Sequence, residues 1–243
     1  MILMAVKNNK NQKSSLNISL KNFRAILRIL KDFFRNCYFK LVPDKKFLFQ
    51  GFEFHYFRHA YNRAWENERT IEVPIVYEFI KRNRGKKILE IGNVLSNYYS
   101  FLRHDIVDKY EKARRVINED IADFKPARLY DLIVSISTLE HISWDEEKKS
   151  PEKILKAVHH IVNNCLSPGG TFVAAVPLGY NSNLDNLIEA KKLGFDRFYY
   201  LKRISADNRW VEIAEKDAFG AKFGEPFPNG NVEVICIFGP GIF

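Results

Sequence analysis

The residues best suited to chemistry fall in a few short stretches. Leu139-Glu140-His141 is followed closely by Asp145, Glu146 and Glu147. Imidazole titrates near neutrality, so His141 is the candidate general base. Glu140 is a second candidate, or else holds His141 in one tautomer; the plainer use of His141 is to order a turn. Gly92 and Asn93 follow the apolar run Lys86–Ile91 (KKILEI), where a glycine lets backbone approach a ligand that a Cβ would meet. Asp108 lies eighteen residues beyond Glu90. A carboxylate there can accept from paired hydroxyls or cap the helix that follows. Glu111 stands in reserve one turn on. Asp120 is a further acceptor or a turn residue. His59, Tyr61, Asn62, Trp65, Glu68 and Arg69 mix aromatic and polar groups. Such a wall suits a sugar or another polar small molecule. Otherwise Tyr61 and Trp65 pack in the core and Glu68 pairs with Arg69. Metal ligation is not expected: HExxH and paired Cys/His spacings are absent, and His159 and His160 are adjacent, pointing to different helix faces.

The elements that must position these residues can be read from apolar periodicity. Short strands are predicted at Lys86–Ile91, Asp105–Asp108, Val116–Glu119, Asp131–Ser137, Thr171–Pro177, Phe198–Ile204, Trp210–Ala214 and Val232–Phe238. Helices are predicted over 71–84, 151–166 and 184–193. Alternating strands and helices imply an α/β fold, a mostly parallel, doubly wound sheet of about seven strands with helices on both faces. Ahead of it, Phe47, Phe49, Phe52, Phe54 and Tyr56 keep a two-residue spacing on either side of Gln50-Gly51, which predicts a hairpin with one aromatic face.

Four segments in register resemble class I S-adenosylmethionine-dependent methyltransferases, which are Rossmann-like. They are Lys86–Tyr98 (KKILEIGNVLSNY), Asp108 with Asn118–Ile121, Tyr130–Ile142 (YDLIVSISTLEHI) and Leu166–Val176 (LSPGGTFVAAV). The resemblance covers roughly residues 70–240. It implies S-adenosylmethionine as cofactor, held by Glu90, Gly92, Asn93, Asp108, Asp120, Ile121 and Ser137. In that arrangement Asp108 accepts the ribose hydroxyls, Asp120 accepts from the adenine amine and the Ile121 amide faces the ring. Glu90 orders the first loop or meets the cofactor's amino group. His141 and Glu140 are then the catalytic pair, and His59, Tyr61, Asn62, Trp65 and Arg69 bind the acceptor. The family's G-x-G-x-G core is reduced here to Gly92-Asn93-Val94-Leu95-Ser96, which sets Val94 where the cofactor tail would pass. The chain also resembles uncharacterised methyltransferase-like proteins that carry EIGNVLS, VDKYE and YN-x-x-W-x-NER, some linked to surface-glycan pathways. The reading is therefore methyl transfer to a hydroxyl of a polar small molecule or glycan precursor.

The chain has 243 residues, 46% of them hydrophobic, enough for one large α/β domain plus an appendage and too apolar for an intrinsically disordered protein. Three cysteines form no disulfide framework, and no apolar run reaches the length of a membrane span, so a reducing, cytoplasmic setting is expected. The net charge is +9, and residues 1–60 hold twelve Lys or Arg against three acids, so they account for all of it. The expected organisation is a disordered tail at 1–15, a basic helical and aromatic extension at 16–69 and the main domain at 70–243. In the extension, Leu20, Phe23, Leu27, Leu30, Phe34, Cys37 and Leu41 make a helical stripe, expected to pack on the main domain. The alternative is a peripheral membrane or nucleic-acid contact through residues 7–46, with RNA as the methyl acceptor. A cofactor-free binding protein and a nicotinamide-dependent dehydrogenase are the other rivals; oligomeric state is left open.

Overall fold

The computed structural model describes Phe23 and residues 25–242; the predicted tail at 1–15 and Leu20 of the stripe lie outside the described residues. A helix over residues 25–41 (α1) leads to a hairpin of β1 (Lys46–Phe49) and β2 (Phe52–His55). Gln50 and Gly51, with φ of 51° and 77°, make the two-residue turn. Two successive left-handed residues match the twist of the flanking strands. Phe47, Phe49 and Phe54 are buried while Leu48 faces out, the alternation the aromatic spacing predicts, but Phe52 at the turn end of β2 is exposed.

After the hairpin, α2 (Arg69–Arg82) carries Pro74 inside it. Proline has no N–H to give the carbonyl four residues back. That carbonyl, Thr70 O, instead accepts the Phe57 N–H at 2.8 Å, and Thr70 Oγ1 donates to Phe57 O at 2.9 Å. The apparent helix breaker thus frees the group that ties the extension to the main domain.

The main sheet contains β3 (Ile88–Ile91), β4 (Asp105–Val107), β5 (Val116–Ile117), β6 (Tyr130–Ile136), β7 (Leu166–Pro177), β8 (Arg197–Arg203), β9 (Trp210–Ile213) and β10 (Val232–Phe238). Their order is β5-β4-β3-β6-β7-β10-β8-β9. Pairings from β5 through β7 are parallel; β10 runs antiparallel to β7 and β8, and β9 antiparallel to β8. Eight strands therefore join where about seven were expected. The Ser167–Gly170 turn is absorbed into β7 as an irregularity, the pairing stepping from Tyr130↔Leu166 to Leu132↔Thr171.

Strands buried on both faces feed two cores. Leu132, Val134 and Ile136 of β6 face α2 and the hairpin. Tyr130 and Ile133 face α3 (Lys153–His160, continued by a π turn to Cys165) and α4 (Ser182–Glu189). The stripe of α1 departs from expectation. Phe23, Leu27, Leu30, Phe34, Cys37 and Leu41 are all exposed, because α1 meets the body through another side.

Candidate active site

Strand order reverses around β3, whose chain neighbour β4 lies on one side and β6 on the other. In open α/β sheets this switch point leaves a crevice beyond the strand carboxyl ends. A cavity of about 580 Å3 lies there, within the range of small-molecule sites. Its walls are the residues that follow four parallel strands: Gly92, Asn93 and Val94 after β3, Asp108 to Glu111 after β4, Glu119 to Ile121 after β5, and Ser137 and Thr138 after β6. Tyr61, Asn62, Arg69, Tyr98 and His141 close the other end.

The first loop is built without a glycine-rich core. Gly92 takes φ +82°, and a Cβ there would collide with the side chain of Thr138. Its role is close packing against the loop after β6. Val94 needs no left-handed geometry: at φ −101° and ψ −54° it leads into the single 3-10 turn Leu95–Asn97. It forms one wall of the cavity and does not fill it. Glu90 is fully buried; its Oε1 accepts the Val94 and Leu95 amides at 2.9 and 2.7 Å, and its Oε2 lies 2.6 Å from His104 Nε2. The carboxylate stands behind the loop and orders it. It is not on the cavity wall, so direct contact with a cofactor amine does not follow from this geometry.

Asp108 Oδ1 accepts the Tyr110 and Glu111 amides at 2.8 and 2.7 Å. Among the described residues no hydrogen bond takes its Oδ2. Glu111 Oε1 accepts from Asn93 Nδ2 at 2.6 Å, coupling the first two loops. Asp120 is committed elsewhere. Its Oδ2 lies 2.6 Å from Lys153 Nζ and 2.9 Å from Lys109 Nζ, and its Oδ1 accepts the Ala122 amide. Burial alone would raise this carboxyl, but the two ammonium groups hold it below its ordinary value. With both oxygens engaged, Asp120 has little left for an adenine amine, and Ile121 offers an apolar side wall instead.

His141 sits half exposed at the rim, its Nδ1 2.6 Å from Asp145 Oδ2. A carboxylate only accepts, so in the neutral imidazole this bond puts the proton on Nδ1 and leaves Nε2 as the acceptor. Tyr180 Oη donates to the same Asp145 oxygen at 3.1 Å and its ring packs edge-on to His141. The group that orients His141 is therefore Asp145. Glu140 is buried, its nearest oxygen 3.6 Å from His141 Nε2, and burial together with the Glu72 carboxylate pushes its carboxyl well above the ordinary range. It does not line the cavity, which argues against a catalytic role for it.

Beneath the rim, Ser137 has φ 37° and donates from Oγ to Glu72 Oε1 at 2.5 Å. Glu72 pairs with Arg69 and adjoins Glu233, also fully buried, whose carboxyl is pushed well up by burial and by Glu72. Burial opposes the Arg69 charge, but Glu72 and Glu68 hold the guanidinium firmly protonated. Tyr98 Oη is buried beside Arg69 without a well-formed hydrogen bond, and burial raises its hydroxyl to about 12. A polar ligand group would complete it.

The predicted acceptor wall divides. Tyr61, Asn62 and Arg69 reach the cavity. His59 is engaged by Asn36 and the Tyr61 amide, and Trp65 packs against Phe39 and Arg35 of α1; neither lines the cavity. Tyr98, Glu72 and Glu233 were not singled out from sequence, and Asp145 was named only within an acidic stretch, without its role toward His141. The usable signals were a lone acid in each of two apolar runs (TIEVPIV and VEVICIF) and the i, i+4 spacing of His141 and Asp145.

No protein-family model matches the sequence, and no curated protein does. Among solved structures the chain is similar to the N-methyltransferase NodS from Bradyrhizobium japonicum in complex with S-adenosyl-L-homocysteine, at 16% identity, over 74% of this chain and 96% of that one, TM-score 0.42. It is also similar to an S-adenosylmethionine-dependent methyltransferase from Clostridium acetobutylicum (15%, 69% and 90%, 0.37). A third is the sugar N-methyltransferase KedS8 from Streptoalloteichus (12%, 72% and 90%, 0.38). Overlap at this level is a partial likeness of backbone path and says nothing of activity or acceptor.

Proposed function

We propose that the chain is an S-adenosylmethionine-dependent methyltransferase acting on a hydroxyl of a polar small molecule or glycan precursor. The observation that carries this reading is the cavity at the sheet's switch point, walled by the ends of β3, β4, β5 and β6. Its lining is rich in carboxylates, among them Asp108, Glu111, Glu119 and Asp145, against Arg69 and Lys109, although the chain as a whole is basic. Such a lining favours a ligand with a cationic centre and several hydroxyls, and disfavours a polyanion. The one unspent oxygen of Asp108 and the buried, unsatisfied Tyr98 hydroxyl both fit polar ligand groups.

When bound, S-adenosylmethionine supplies an activated methyl group on a sulfonium. Asp108 would hold ribose hydroxyls, and Asn93, Val94 and Ile121 would flank the nucleoside. Tyr61, Asn62, Arg69 and Tyr98 would position the acceptor and exclude water from it. His141 Nε2, kept as an acceptor by Asp145, would take the acceptor's hydroxyl proton.

Incubation with methyl-labelled donor and a panel of sugars and polyols, amines and RNA tests the reading. Label in a hydroxyl acceptor is the expected result. His141→Ala should lower turnover by about 10²–10⁴-fold while leaving affinity for S-adenosylhomocysteine unchanged. Label in amines or RNA alone would overturn the acceptor assignment, and equal loss of turnover and affinity would remove His141 from the base role.

A further inference from the structure

The helix α1 meets the body by one narrow side. Asn36 Oδ1 accepts the Ala60 N–H at 2.8 Å, Phe39 packs on Trp65 with centroids 5.2 Å apart, and the Arg35 guanidinium lies 4.6 Å over the same ring. Residues 35, 36 and 39 share that side by helical spacing. The opposite side is apolar and exposed: Leu27 is 49% exposed, Leu30 47%, Phe34 67% and Leu41 84%, and Ile26, Ile29 and Phe33 are exposed as well along the helix. Helices of globular domains turn such a side inward. An outward apolar surface of this extent marks a place where something else binds.

Charge identifies the occupant. Lys31 borders the apolar side and Arg28 lies a turn before it on the same exposed length of helix, within a segment that carries the whole positive surplus of the chain. A second copy seated on the same side about a two-fold axis would bring these cations against their own counterparts. RNA would neutralise the cations but leave the aliphatic and phenyl groups in water. An anionic bilayer satisfies both, hydrocarbon taking the apolar side and lipid phosphates the guanidinium and ammonium groups.

We propose that α1 lies in the interface of an anionic membrane and docks the protein there. Ala60 and Trp65, on which α1 rests, flank Tyr61 and Asn62 of the cavity rim, so docking would hold that rim close to the lipid surface.

Co-sedimentation of the full chain with phosphatidylcholine vesicles, with and without phosphatidylglycerol, tests this. Binding is expected to the anionic vesicles and to fall several-fold at about 0.5 M salt. Ile29→Glu with Phe33→Glu, and separately Arg28→Glu with Lys31→Glu, should each weaken binding by at least ~10-fold. All four side chains are exposed and the contacts to Ala60 and Trp65 are made by other residues, so thermal unfolding should match the parent and exclude misfolding as the cause. Failure to bind anionic vesicles, or binding unaffected by either pair of substitutions, overturns the proposal. So does a dimer in solution abolished by the first pair without vesicle binding, or an RNA gel shift without it.

Discussion

Asp108→Asn separates two uses of one side chain. Oδ1 accepts the Tyr110 and Glu111 amides and shapes the loop after β4, whereas Oδ2 is outside that turn. An amide keeps an oxygen for the two N–H groups, so the loop should persist. What is lost is the negative charge that strengthens hydrogen bonds from ribose hydroxyls. Hydrogen bonds to a charged group contribute about 1.5–3 kcal/mol. Affinity for S-adenosylhomocysteine should therefore fall roughly 10- to 150-fold. The melting temperature of the free protein should hardly move. Asp108→Ala, which removes both uses, should lower stability as well as affinity. Equilibrium dialysis with labelled ligand, beside thermal unfolding of the free proteins, reads both quantities. Unchanged affinity in Asp108→Asn would refute the assignment of Oδ2, and a melting temperature depressed as far as in Asp108→Ala would refute the separation of roles.

Asp145→Asn should cost turnover less than His141→Ala, since it loosens the imidazole without removing it; an equal loss in steady-state assays would make Asp145 more than an orienting group. Glu233 is held protonated in the fold by burial and by Glu72, while the unfolded chain releases that proton near the ordinary carboxylate value. The folded state then binds more protons, so this group's contribution is intact in acid and stability is lost as pH rises above the unfolded value. Glu233→Gln should thus raise the melting temperature at pH 8 and leave it nearly unchanged at pH 4; a lower value at pH 8 would contradict this. Gly92→Ala should destabilise by about 1–3 kcal/mol in urea unfolding, since it combines positive φ with a clash. Thr138→Ala in the same chain should recover part of that loss, and no recovery would show that the clash is not the cause. Trp65→Ala should leave S-adenosylhomocysteine affinity unchanged, because the ring serves α1; a large loss by dialysis would place it in the cavity after all.

Much of the fold was legible because buried strands and amphipathic helices differ in apolar period. KKILEI, DLIVSIS and VEVICIF each give a strand where the pattern predicts one. The hairpin was legible for the same reason, with Gln50-Gly51 supplying the turn. Partners across the fold were not legible. Nothing local says that Thr138 fills the space beside Gly92, that Lys109 and Lys153 converge on Asp120, or that Glu72 and Glu233 meet beneath Ser137. These are contacts between distant segments, set by strand order. The α1 stripe misled for a related reason: periodicity shows that an apolar side exists but not which way it faces. Here Asn36, Phe39 and Arg35 offered the body a better-matched side. The course of the first loop was not legible either, since a glycine-poor loop can turn into a 3-10 helix and leave Val94 on the cavity wall.

The central claim is that the cavity beyond β3, β4, β5 and β6 admits a nucleoside thioether. Calorimetric titration of the full chain with S-adenosylhomocysteine tests it most directly. Saturable binding at micromolar concentration is the result this account predicts; no heat at millimolar ligand would contradict it.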